Sequence, residues 1–173
     1  IQNNAIGAIK TDNAELFSVP FYGIYRISGS SNFINNTIGS TDGSTSNSID
    51  LASPSTANAQ SAYGLYVLSF TNGNSQANIL TNSIAKIRNQ NNQSSSATGV
   101  VNGIYVAGYT SSYGVVAYVA NNTITDLSIA NTNTSTTNTA SVIGINNTAN
   151  LTGGAITSQI FNNNTIFHTD LLL

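Results

Sequence analysis

Five times along the chain an Asn stands two positions before an Ile, with a small residue between them. The pairs are Asn4–Ile6, Asn36–Ile38, Asn82–Ile84, Asn122–Ile124 and Asn164–Ile166, and the small residues are Ala5, Thr37, Ser83, Thr123 and Thr165. Three of the copies read "NNTI", while "NNAI" and "TNSI" are variants. Five residues before each Ile stands an apolar residue: Ile1, Phe33, Ile79, Val119 and Phe161. Three residues after it come Ile9, Thr41, Ile87, Leu127 and Thr169. The intervals between successive Ile are 32, 46, 40 and 42 residues. Self-similarity at such a period restricts the chain to repeat architectures, in which each unit buries its apolar face only against a neighbouring unit.

A second block interleaves with the first. "YGIYRI", "YGLYVL", "NGIYVA" and "IGINNT" align on Gly23, Gly64, Gly103 and Gly144, at intervals of 41, 39 and 41. The repeat therefore reads as a strand ("GIYVA"), a short turn, a strand ("VAYVA"), an Asn corner, a strand ("TITDLSI") and a long polar loop. No segment sustains a helical periodicity. Asn, Ser and Thr total 71 of 173 residues and only 6% are charged. Asn and Gly disfavour helix interiors, whereas the many β-branched and aromatic residues favour strands.

Three short strands per unit, with variable length confined to polar loops, describe a coil of a β-solenoid of about four coils. The loops are expected at 41–62, 88–102 and 130–142, on one edge. Parallel strands of adjacent coils would lie about 4.8 Å apart, with Ile, Leu, Val and Phe stacked in columns inside. Asn at the corner tolerates left-handed backbone, and its amide can bond to the Asn above and below. One column, Asn4, Asn36, Asn82, Asn122 and Asn164, is expected to do both, as a structural Asn ladder.

The "NNTI…GIY" pattern resembles the right-handed parallel β-helix repeats of the pectate-lyase-like superfold, especially those of large secreted cell-surface proteins of Bacteroidota exported by type IX secretion. The resemblance spans nearly the whole chain as one domain. It implies an all-β right-handed parallel β-helix, either a segment of a longer solenoid or a unit of a stacked assembly. The chain opens on Ile1, within a coil, and no capping segment is recognisable, so further coils or neighbouring copies are the expected partners. The fold is shared by lyases, hydrolases, adhesins and stalks, so function must be argued from sites.

Enzymes of this superfold use clustered carboxylates, with calcium and a basic residue in the lyases and paired acids in the hydrolases. The acids here are Asp12, Glu15, Asp42, Asp50, Asp126 and Asp170. Measured from the motif Ile, only Asp42 and Asp170 share a column, three coils apart. Each acid reads as a solvated turn residue. His168, the one His, has Asp170 two residues on and could act as a base, but reads instead as a polar side chain on an outward face or at a truncated end. "TDNAE" at Thr11–Glu15 offers oxygens to calcium and reads instead as a plain turn. No catalytic residue, metal site or cofactor is assigned.

The dispersed Lys10, Arg26, Lys86 and Arg88 read as solubility groups. Four cations on a chain of net charge −2 do not make a nucleic-acid surface, and no apolar run is long enough for membrane insertion. With Cys 0 there is no disulfide framework. Tyr25, Tyr66 and Tyr105 recur two residues after the Gly and alternate with Ile24, Leu65 and Ile104. They should therefore point outward as a ladder, which reads first as ring stacking that supports the sheet or as a face covered by the loops, and alternatively as a patch able to stack on carbohydrate. The expectation is a non-enzymatic extracellular module of a bacterial cell surface: an adhesin, stalk or filament segment. The alternative is a fragment of a polysaccharide lyase or glycoside hydrolase that lacks its catalytic coils.

Overall fold

The computed structural model describes residues 1–12, 20–41, 46–52, 60–69, 73–93, 99–108, 113–131, 141–148, 159–167 and 170–172. A half-coil, β1 (Ala5–Ile6) and β2 (Ile9–Asp12), opens the stack. Four full coils follow. The first is β3 (Phe21–Arg26), β4 (Ser31–Ile34), β5 (Thr37–Gly39) and β6 (Ile49–Ala52). The second is β7 (Ala62–Ser69), β8 (Gly73–Leu80), β9 (Ser83–Ala85) and β10 (Ile87–Gln93). The third is β11 (Val100–Gly108), β12 (Tyr113–Ala120), β13 (Thr123–Thr125) and β14 (Ser128–Asn131). The last is β15 (Ser141–Asn147), β16 (Ile160–Asn162), β17 (Thr165–Phe167) and β18 (Asp170–Leu172). Equivalent strands pair in parallel in coil order, which makes four sheets: β3-β7-β11-β15, β4-β8-β12-β16, β1-β5-β9-β13-β17 and β2-β6-β10-β14-β18. The chain is thus an all-β parallel β-helix.

Among the described residues each full coil has four strands rather than the expected three. The single strand anticipated in "TITDLSI" divides into β13 and β14, because Asp126 takes a left-handed φ of 52° and bends the chain between them. Ala8 (55°) and Lys86 (51°) make the same bend in other coils. The expected loop 41–62 also contains a strand, β6, whose Ile49 and Leu51 are fully buried. Ile49, not Thr41, pairs with Ile9 and Ile87. An insertion after Ile38 therefore delays this strand and accounts for the 46-residue interval. Likewise β10 occupies the first part of the expected loop 88–102.

Interior columns follow the motif. Ile38, Ile84 and Ile124 are fully buried, in register with Ile6 and Ile166. Phe33, Ile79 and Val119 form a second buried column, and Leu65 and Ile104 belong to a third with Ile24. Each fully buried side chain of this size contributes about 1.5–3 kcal/mol relative to exposure.

The two sequence blocks prove to be the two sides of one contact. A Cβ built at Gly64 would lie 2.7 Å from Ile84 Cγ2, and one at Gly103 would lie 2.7 Å from Ile124 Cγ2. The same Cβ atoms would fall 2.6 Å from the carbonyl oxygens of Gly103 and Gly144 in the next coil. Gly23 faces Ile38 and Gly144 faces Ile166 in the same way. The "GIY" glycine is required because the "NNTI" isoleucine of its own coil fills the place where its side chain would be.

The Asn corner divides labour between two residues, which corrects the expectation that one Asn both bends the chain and builds the ladder. The first residue of each pair takes the left-handed backbone: Asn3 at 57°, Asn35 at 55°, Thr81 at 55°, Asn121 at 56° and Asn163 at 50°. The second residue points inward and forms the ladder. Asn4 Nδ2 donates to Asn36 Oδ1 (2.9 Å), Asn36 to Asn82 (2.8 Å), Asn82 to Asn122 (2.9 Å) and Asn122 to Asn164 (2.9 Å). Each of these acceptors also takes the donor residue's own backbone N–H. The second Nδ2 hydrogen satisfies a main-chain carbonyl, that of Phe33 for Asn82 and of Ile79 for Asn122. A looser outer ladder links Asn35 to Asn3 (2.9 Å) and Asn163 to Asn121 (2.7 Å), and Thr81 interrupts it.

Gly103→Ala should lower stability by about 1–3 kcal/mol through overpacking. Asn82→Ala should cost about 3 kcal/mol or more, since several buried groups lose partners at 1–3 kcal/mol each. Thr81→Asn should raise stability by about 1 kcal/mol, by relieving a β-branched residue of left-handed backbone and completing the outer ladder. Urea denaturation of the three variants checks all three signs.

Candidate functional site

The face most unlike an ordinary sheet surface is the outer side of β3, β7 and β11. Strict alternation along these strands would put residues three apart on opposite faces. The Gly–Ile contact breaks that alternation: Gly64 and Leu65 are both buried, as are Gly103 and Ile104. The Tyr before the Gly therefore emerges on the same side as the Tyr two residues after it. Tyr25, Tyr66 and Tyr105 are register partners facing outward as expected. Tyr22 and Tyr63, also register partners, join them and were missed. Their signal was present in "YGIY" and "YGLY", where the leading Tyr recurs as the trailing one does.

The five rings touch. Tyr22 stacks on Tyr63 with centroids 5.2 Å apart and planes 6° from parallel. Tyr22 and Tyr25 are 4.9 Å apart at 24°, and Tyr66 and Tyr105 are 4.8 Å apart at 36°. Tyr66 meets Tyr22, Tyr25 and Tyr63 edge-on, at 5.2, 5.1 and 4.9 Å. Such pairs contribute about 0.5–1.5 kcal/mol each beyond their buried area. Tyr25 is 46% exposed and Tyr22 38%, while Tyr63, Tyr66 and Tyr105 are half-buried by their neighbours. Thr148 Oγ1 donates to the Tyr105 hydroxyl at 2.9 Å. Beyond the cluster, Asn102 and Ile143 continue the Tyr22 column, and Asn146 continues that of Tyr105.

Burial and then the neighbouring phenols push the Tyr66 hydroxyl up to about 12, and raise those of Tyr22 and Tyr63 for the same reasons. The face is therefore neutral at ordinary pH.

Asp50 lies in register between Lys10 and Arg88, and Arg88 grips it through Nε (2.5 Å) and Nη2 (2.8 Å). Burial pushes the Asp50 carboxyl up, but hydrogen bonds from Arg88 and Ser48 and the charges of Arg88 and Lys10 outweigh it and hold the carboxyl below its ordinary value. Asp50 thus shares the column of Asp170, the place assigned to Asp42 from sequence spacing. Arg88 is an ion-pair residue, not only a solubility group. Arg26 departs further from that reading. It sits 6% exposed in the interior column of Val67 and Val106, donating to the Gly29 carbonyl (2.6 Å) and the Ser75 hydroxyl (3.2 Å). Burial lowers its pKa to about 10.

Glu15, Asp42 and His168 lie outside the described residues, as do most of "TDNAE" and the side chains of Asp12 and Asp170. Among the described residues no three His, Cys, Asp or Glu come together as metal ligands. Two shallow clefts, of about 300 and 340 Å³, are lined by residues such as Thr37, Thr41 and Asn47 in one and Ser30, Gln76 and Asn78 in the other, with no titratable side chain described in either. No family model, curated protein or solved structure matches the chain.

A phenol whose folded pKa exceeds its ordinary value of 10.0 adds stability that is intact below that pH and lost as the pH rises through the folded value. The unfolding midpoint should therefore fall between about pH 10 and 12, with phenolate absorbance lagging that of free tyrosine. Tyr66→Phe should flatten the decline.

Proposed function

We propose that the chain is a non-catalytic structural and adhesive segment of an extracellular β-helix, of the kind carried on bacterial cell surfaces, and that it holds neutral carbohydrate on its tyrosine face. The observation that carries this reading is the cluster of five touching, partly exposed phenols on a rigid sheet. Flat apolar ring faces stack on the C–H faces of pyranose rings, and phenol and amide groups beside them bond to hydroxyls. The neutral face favours uncharged glycans over acidic ones.

The regularity of the stack supports the structural half of the reading: equivalent strands of successive coils pair in parallel in coil order in four sheets, an arrangement suited to spacing or displaying a surface.

The test is retention on a panel of insoluble polysaccharides, with the supernatant assayed for released sugar ends. Wild-type protein should be retained without release, and Tyr25→Ala/Tyr66→Ala should bind at least about tenfold more weakly, a change of 1.4 kcal/mol. Release of sugar ends would favour a lyase or hydrolase. Absence of retention would reduce the role to structure alone.

A further inference from the structure

The chain contains no Cys, Met or Trp, so the side chains that ordinarily react first with oxidants are missing. Five of its eight Tyr are instead packed ring against ring. Two pairs, the stacked Tyr22–Tyr63 and the tilted Tyr66–Tyr105, join residues that are direct register partners on adjacent coils.

We propose that this cluster is an oxidative cross-linking site, at which a haem peroxidase with hydrogen peroxide couples Tyr22 to Tyr63 and Tyr66 to Tyr105 as dityrosine. Each phenol loses one electron and its hydroxyl proton, giving two phenoxyl radicals. These combine through a new C–C bond between the ring carbons ortho to oxygen. Each coupled ring then moves its ortho hydrogen to oxygen as a proton and regains its aromaticity. Two hydrogen atoms leave the protein, and one peroxide is reduced to two waters.

The geometry selects the pairs. Coupling needs the ortho carbons of both rings to approach one another, which rings stacked at 5.2 Å and 6°, or tilted by 36° at 4.8 Å, allow. Tyr63–Tyr66 at 86° and Tyr25–Tyr66 at 77° set an edge against a face instead. Tyr22–Tyr25 is also stacked, but it shares Tyr22, so it competes with the first pair and links nothing between coils. Because register partners already lie side by side, coupling requires ring rotation and no strand movement. The exposed Tyr22 and Tyr25 give the oxidant its entry, and ring contact carries the radical inward to Tyr63, Tyr66 and Tyr105. Each bond would staple neighbouring coils covalently, limiting chain entropy on unfolding as a disulfide does. None of this depends on the sugar-binding reading.

The full chain is treated with a haem peroxidase and hydrogen peroxide, and the monomer is then digested with trypsin. Cleavage after Lys10, Arg26, Lys86 and Arg88 places Tyr22 in peptide 11–26, Tyr63 and Tyr66 in 27–86, and Tyr105 in 89–173. The expected products are 11–26 joined to 27–86 and 27–86 joined to 89–173, each lighter by two hydrogens, with dityrosine fluorescence and a raised unfolding midpoint. Tyr22→Phe, which keeps the ring, should abolish the first product and leave the second. Links formed only between molecules, or only through Tyr109, Tyr113 or Tyr118, would overturn the proposal. So would an unchanged dityrosine yield in Tyr63→Phe/Tyr105→Phe whose circular dichroism matches wild type.

Discussion

The inner amide ladder sets the geometry from which the rest follows. A buried Asn amide is costly unless every donor and acceptor is met, and here each rung answers the next. The acceptor of one coil takes two hydrogens from its neighbour, while the remaining amide hydrogen ties down a main-chain carbonyl. A coil displaced by one residue would leave that whole set unmet. Register fixed at the corner aligns the motif isoleucines two residues on, and those side chains in turn exclude any Cβ from the facing strand. The glycine they demand disturbs alternation, and the disturbance brings two columns of Tyr onto one face. An aromatic surface thus traces back to an amide several residues away in the coil.

The fold was legible because both repeated blocks answer to constraints that act in every coil. Corner Asn and core Ile recur since each coil meets the same neighbours, and pairing at Ile38, Ile84 and Ile124 follows the sequence alignment. Legibility failed where one coil departs from the rest. The insertion before Ile49 moved a strand into what reads as loop, and Asp50 with it. Spacing alone could not distinguish eight added residues from eight variable ones. The fourth strand was hidden for a different reason: its bend is made by Ala8, Lys86 and Asp126, residue types with no shared turn signature. Half of the tyrosine face was missed because alternation is a rule about undisturbed strands, and the effect of Gly64 appears only once Ile84 is known to lie against it.

Charge shows a similar split between position and type. The few ionic groups read as interchangeable surface residues, yet their environments differ widely. Arg88 shares a sheet column with the Asp50 it grips. Arg26 stands where the next two coils place Val67 and Val106, with its guanidinium held by a carbonyl and a hydroxyl. A lone buried cation is a costly occupant of a core column, and no property of the local sequence announces it.

The ladder also has a direction. From Asn4 to Asn122 each inner residue gives one Nδ2 hydrogen and its backbone N–H to the amide oxygen of the later coil, while from Asn36 on the other Nδ2 hydrogen reaches back to a carbonyl of the earlier coil. The outer amides run the other way, Asn35 donating to Asn3 and Asn163 to Asn121, so the two sides of one corner carry opposed chains of amide dipoles. An association that continues both ladders in register is heterologous, with the leading surface of one unit meeting the trailing surface of another. Repetition of such a contact without rotation to close it yields an open filament with two chemically distinct tips, able to grow at different rates.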